Sequence, residues 1–204
     1  MTFKETYDFL VNEDPDMVGE IFQSVYMKIN NATKSTKEDD IHKHIDCKLP
    51  NGLRVDVKAP KKRNRYDKDF DLSSFLVEFK NVRGNDGWLF GEADIISLAT
   101  VIEDKWVFID VVRQMLYDYI KKWYGLPGDD IQQKPDDPKI GVYYQRENRD
   151  DVFIYIDQEK FIKKLEKLLV FMEADDAISE QCVELINIRK NLRNDLRSLF
   201  VRPL

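Results

Sequence analysis

The stretch His44-Ile45-Asp46-Cys47-Lys48-Leu49-Pro50-Asn51-Gly52-Leu53-Arg54-Val55-Asp56-Val57-Lys58 decides the fold. Apolar and polar residues alternate on both sides of a Pro-Asn-Gly turn, the period of two half-buried strands joined as a hairpin. A turn centred on Asn51 sets Leu49 opposite Leu53 and Asp46 opposite Asp56. Ile45, Cys47, Leu49, Leu53, Val55 and Val57 then share one face. His44, Asp46, Lys48, Arg54, Asp56 and Lys58 share the other. Directly opposed residues lie roughly 5 Å apart at Cβ, so two carboxylates there repel unless a cation stands between them. A divalent metal would do this, and Lys58 lies two residues along the same face. The solvated outer face of a hairpin explains the same pattern, and both readings stay open on this stretch.

Downstream, Lys61, Lys62, Arg63 and Arg65 form a basic cluster with Pro60 and Tyr66. Such a run is commonly just solvated. Following the strand that carries Asp56 and Lys58, it could instead hold phosphates. Phe75 to Val82 alternates again, with Phe75, Val77 and Phe79 on one face and Leu76, Glu78 and Lys80 on the other. The acid-x-lysine spacing of Asp56-Val57-Lys58 thus recurs in Glu78-Phe79-Lys80. An antiparallel meander of three strands, 44–49, 53–59 and 75–82, would gather Asp46, Asp56 and Glu78 around one point. Arg83 to Asp94 is a glycine-punctuated loop with aromatics and lacks the spacing of a phosphate-binding loop.

Upstream, Asp14-Pro15-Asp16 opens a helix whose stripe of Met17, Val18, Ile21, Phe22, Val25, Tyr26 and Ile29 is core. Glu20 is expected at the rim. Asn30-Asn31 ends this helix, and Thr33 to Asp40 is a polar linker. Beyond the loop, 95–102 and 105–109 predict two strands, and Asp110 caps a helix that Gly125 stops. Residues 125–139 predict a surface loop, and 142–146 and 151–156 two more strands. A helix then starts at Asp157 and carries Leu168, Leu169 and Met172, and a last one covers 177–200. The fold class expected is α+β, a mixed sheet flanked by helices.

The chain has 204 residues, of which 43% are hydrophobic and 34% charged, the balance of a soluble globular protein. No apolar run reaches membrane-spanning length, and the N-terminus lacks the apolar core of a signal peptide. Cys47 and Cys182 have no metal-ligand spacing. They are read as buried thiols in a reducing, cytoplasmic setting. A net charge of −6 disfavours unspecific nucleic-acid binding over the whole surface and leaves a local basic patch as the place for it.

The ordered set of helix, acidic hairpin, basic loop and Glu-x-Lys strand resembles the PD-(D/E)XK nuclease superfamily. Val55-Asp56-Val57-Lys58-Ala59, Val77-Glu78-Phe79-Lys80, Gly87-Trp88-Leu89-Phe90-Gly91 and Ala93-Asp94, with Tyr144-Gln145-Arg146 and Arg149-Asp150, are similar to segments of phage and bacterial members. The resemblance covers roughly residues 17–156. It implies a restriction-endonuclease-like core over 1–156, with 157–204 as a helical extension packed on the core or a partner, a second copy included. It also implies a DNA endonuclease dependent on Mg²⁺ or Mn²⁺. Asp46, Asp56 and Glu78 would be the metal ligands, and Lys80 or Lys58 the lysine that acts on the attacking water. Lys61, Lys62, Arg63 and Arg65 would contact DNA. Two registers of the motif fit: Asp46 with Asp56-x-Lys58, or Asp56 with Glu78-x-Lys80. A catalytically inactive nuclease-fold module that binds DNA or protein remains the alternative, and an unrelated interaction protein a third.

Overall fold

The computed structural model describes residues 2–64, 66–174 and 176–183. In it, β2 (Cys47–Lys48) and β3 (Arg54–Lys58) pair antiparallel, Cys47 with Val55 and Lys48 with Arg54. The turn between them is built as its chemistry requires. Leu49 N–H donates to the Leu53 carbonyl at 2.9 Å. The Asn51 side chain accepts from Leu53 N–H at 3.1 Å, and Gly52 takes φ +88°, a region that favours glycine.

The elements before the hairpin are set by their caps. A capping box of Thr2 and Glu5 opens α1 (Phe3–Val11), a helix that the reading of the sequence did not include. Asp14 caps α2 (Pro15–Asn30), with Pro15 at its first position, and Asn31 in the left-handed region ends it. The expected linker is partly ordered: β1 (Thr33–Lys34) pairs with β2, and Thr36 caps α3 (Lys37–Lys43).

After β3 come β4 (Ser74–Lys80), a 3-10 turn (Trp88–Phe90), β5 (Ile95–Ile102), β6 (Lys105–Val112) and α4 (Arg113–Trp123). They are followed by β7 (Gln132–Gln133), β8 (Tyr143–Gln145), β9 (Val152–Asp157), α5 (Gln158–Leu165) and β10 (Val170–Glu173). One sheet has the order β1-β2-β3-β5-β6-β10 and the other β4-β9-β8-β7. The architecture is therefore α+β with mixed pairing, but the three-strand meander does not form. β3 is flanked by β2 and, in parallel, by β5. β4 pairs with β9 in the second sheet. Parallel neighbours need a crossover, and residues 59–94 supply it, carrying β4 out of the first sheet.

Two further boundaries move. Asp110 is not a helix cap: β5 and β6 pair in unbroken register from Ile95–Val112 to Ile102–Lys105, so Asp110 lies within a strand. The helix expected from 157 runs only over α5 and a short 3-10 turn, and β10 then pairs with β6. Part of the segment expected as a helical extension is thus the outer strand of the larger sheet. Residues 176–183 are helical, and the remainder of the helix expected over 177–200 lies outside the described residues.

The layers follow from the strand faces. α1 and α2 cover one face of the six-stranded sheet, burying Cys47, Val55, Ala99, Trp106 and Phe108. Its other face, with Ile96, Leu98, Ile109 and Val111, packs on Phe75, Val77, Phe79, Ile154 and Ile156 of the four-stranded sheet, and on α4 and α5. Tyr144, Phe153 and Tyr155 are buried on the far side of that second sheet.

Candidate active site

Register places the acids. Continuing the β2–β3 pairing, the Asp46 N–H donates to the Val55 carbonyl at 2.8 Å. The Asp46 carboxylate turns back and accepts from Val57 N–H at 2.7 Å. Asp56 and Lys58 stand beside Ile96 and Leu98 of β5, so they project from the face that meets the second sheet, while Val55 and Val57 face the helical layer. Asp56 is 1% exposed. One of its oxygens meets Lys58 Nζ at 2.6 Å. The other has no hydrogen-bond partner among the described residues. The Lys58 ammonium also lies 5.3 Å from the centre of the Trp88 ring.

Burial pushes the Asp56 carboxyl up to about 7; Lys58 pulls it down, and the neighbouring Asp46 raises it further. Burial alone would lower the Lys58 ammonium, yet the carboxylates of Asp56, Asp46 and Glu78 outweigh that and hold it above its ordinary value. Asp40, from α3, joins the edge of this group. The protein around it, then Asp46, raises its carboxyl, although its side chain is exposed. His44 ends α3 at φ +54°. Burial, then Lys58, lowers its imidazole.

Glu78 approaches from the second sheet, not from a strand beside β3. Its carboxyl is raised by burial against the cations Lys61, Lys58 and Arg146. Lys58 is therefore the charge that Glu78 shares with Asp56. Lys80 is exposed at the end of β4. A register shift between Glu78 and Lys80 interrupts the strand pairing there, so the second acid-x-lysine pair does not repeat the geometry of the first. Among the described residues, no three His, Cys, Asp or Glu side chains form a group that could hold a metal ion.

The glycine-punctuated loop acts as the brace for this arrangement. Gly87 lies so close to β4 that a Cβ on it would stand 2.4 Å from the Glu78 carbonyl oxygen. That approach brings Trp88 between the sheets, at 4% exposure. A Cβ on Gly91 would meet His44 Cβ at 2.7 Å. Asp94 grips the start of β3, accepting from Arg54 N–H, Nε–H and Nη2–H at 2.9, 3.0 and 2.9 Å. Between the sheets, a cavity of about 40 Å³ is lined by Lys58, Lys61, Ser74, Trp88, Tyr155 and Gln158, among others, room for water beside the lysine.

The basic cluster is divided. Lys61 is exposed. Crowding by protein, then by Lys58, pushes its ammonium down, and its access to solvent limits that push. Lys62 is half-exposed. Arg63 is committed to the fold: its Nε–H donates to Asp71 at 2.7 Å, its Nη2–H to Ser73 Oγ at 3.0 Å, and its guanidinium lies 5.7 Å from the Tyr155 ring centre. Arg65 lies outside the described residues. The reading of the sequence left Arg146 and Trp88 without roles at the site and placed Asp40 in a linker. Trp88 carries a signal as the aromatic flanked by two spaced glycines, and Arg146 only as part of the Tyr144-Gln145-Arg146 segment of the resemblance.

Compared with family models, curated proteins and solved structures, the chain matches none of them. No helix among the described residues is long and apolar enough to cross a membrane. Cys47 and Cys182 are both free and buried.

Proposed function

We propose that the chain is a metal-dependent phosphodiester hydrolase, a DNA endonuclease, working in the Asp46 and Asp56-x-Lys58 register. The observation that carries this reading is the Asp56 carboxylate, buried beside Asp46, with Lys58 on one oxygen and no hydrogen-bond partner among the described residues on the other. Burying an unsatisfied charged oxygen is costly, and a hard cation would satisfy it. Mg²⁺ is commonly held by one or two carboxylates, with waters and substrate phosphate completing its shell. Asp46 and Asp56 therefore fit Mg²⁺ or Mn²⁺ without a third acidic ligand. Such an ion would acidify its water and offset phosphate charge.

The protein's own groups do the rest. The Val57 N–H fixes the Asp46 carboxylate. Lys58, held protonated by the acids around it, orients a water and offsets negative charge developing on the phosphate, and Trp88 and the sheet interface screen that lysine from bulk solvent. Glu78, facing Lys58 from the second sheet, is a positioning residue in this reading, and Lys80 has no part in it.

The test is calorimetry with Mn²⁺ combined with cleavage of plasmid and branched DNA. Wild type should bind Mn²⁺ and cut. Asp56→Asn, which keeps the shape, should lose both, and full activity in it would sink the assignment. A nuclease-fold module that binds without cutting is the second reading, favoured by the short Lys58–Asp56 ion pair, which already neutralises the acid. Tight DNA binding with no Mn²⁺ heat would select it.

A further inference from the structure

Among the described residues, no helix covers the outer face of the four-stranded sheet. Two of its buried aromatic residues lie against cations. The Arg146 guanidinium lies 4.9 Å from the centre of the Phe153 ring, and that of Arg63 lies 5.7 Å from the centre of the Tyr155 ring. Lys134, just after β7, is drawn into the same layer by Asn64, whose side-chain oxygen accepts from its ammonium. Lys61 closes the layer toward the acid pair. The basic loop after β3, the segment after β7 and the end of β8 thus converge, although they are far apart in the chain.

The charges in this layer are unevenly compensated. Arg63 pairs with Asp71, and Arg146 with the fully buried Asp151 at 2.9 Å. Among the described residues, Lys61 makes no ion pair, and the Lys134 ammonium meets only neutral oxygens, of Asn64 and Pro135. Both ammonium groups are lowered by the protein around them and then by other cations, Lys58 for Lys61 and Arg146 for Lys134. Glu78 and Asp56 offset Lys61 in part, and Asp136 and Asp67 offset Lys134, but neither ammonium is held in a direct ion pair, and such cations in a chain of net charge −6 suit an external polyanion.

We propose that Lys61 and Lys134, with Arg146 between them, form a track for the phosphodiester backbone of a nucleic acid, leading to the Asp46–Asp56 pair. The proposal rests on the hydrolase reading for its choice of polyanion. Continuity argues for that choice. Lys61 lines the same cavity as Lys58, whose ammonium is paired with Asp56, so a strand lying along the track would reach the acids. Regular phosphate spacing suits a row of separate ammonium groups, each binding its own phosphate.

The experiment measures the affinity of the full chain for a short labelled DNA duplex, in EDTA, across a range of salt concentrations. Because Lys61 and Lys134 hold no carboxylate among the described residues, Lys61→Gln with Lys134→Gln should leave the fold intact, which circular dichroism checks. The plot of log affinity against log salt should flatten by about 1.8, about 0.9 for each phosphate no longer neutralised. Lys121→Gln with Lys122→Gln, on exposed positions of α4, should leave it unchanged. No binding by wild type, an unchanged slope in the Lys61/Lys134 variant, or equal binding of polyglutamate would overturn the track. The two readings fail separately. Binding with a flattened slope but no cleavage by wild type keeps the track and removes the hydrolase. Cleavage with an unchanged slope does the reverse.

Discussion

A carboxylate 1% exposed, with one oxygen unpaired among the described residues, persists in a fold only if its charge is met, and Lys58 meets it from two residues along the same strand. Removing one partner of such a pair costs about 3–5 kcal/mol. Because the Lys58 side chain is 23% exposed, Lys58→Met should fall at the lower end. Urea unfolding measures that loss, and cleavage by the same variant should drop about 10²–10³-fold if the Lys58 ammonium offsets charge developing on the phosphate. Asp110 poses the opposite case, an acid buried with hydroxyls in place of a cation. Tyr26 donates to it at 2.8 Å, yet burial outweighs the hydroxyls of Ser97 and Tyr26 and lifts its carboxyl above the ordinary 3.8. The folded chain therefore holds that proton more tightly than the unfolded one. Its contribution to stability is full below the unfolded value and is lost as pH rises through the folded one. Asp110→Asn should remove that loss. Urea midpoints should show the variant gaining on wild type as pH rises from the acid side, and a pH-independent difference would count against this. Asp46 and Asp56 were legible in the sequence because one tight turn fixes both. Arg146 and Lys134 were not, since nothing local ties them to the acids.

Among elements, the hairpin and α2 follow from local chemistry alone. Asp14 accepts from Asp16 N–H at 2.9 Å, so Asp14→Ala should destabilise the chain by about 1 kcal/mol, read as a small drop in melting temperature. The loop around Trp88 is different, because its glycines answer to packing rather than to a local turn, Gly87 against β4 and Gly91 against the end of α3, which is distant in the chain. Gly87→Ala would press a methyl group into the Glu78 carbonyl. It should cost about 1–3 kcal/mol and shift Trp88 fluorescence toward that of a solvated indole. The boundary between β6 and α4 was misread for a related reason. Asp110 before an apolar run has the local signature of a helix cap, but unbroken pairing with β5 carries the strand two residues past it.

At the scale of the whole molecule, α5 and β10 belong to the same packing as the sheets. Phe161 is fully buried in the main cluster, its ring 5.7 Å from Phe75 and 5.2 Å from Tyr119. Truncation after residue 156 should therefore abolish cooperative unfolding rather than release a stable core. A sharp melting transition in that fragment would show that the fold ends there. The sequence by itself determined which residues share a face along the hairpin strands and β4, the hairpin register, the stripe of α2 and the pairing of Asp46 with Asp56. Each of these depends on backbone period or on a turn of a few residues. Only the tertiary structure decided which strands are neighbours: β5, not β4, lies beside β3, and Glu78 meets Lys58 across two sheets. Alternation encodes a face and not a partner. The entropy of closing a long connection changes slowly with its length, so chain distance separates the competing pairings only weakly. The choice falls to the burial of whole faces against one another, which no single stretch of the chain contains.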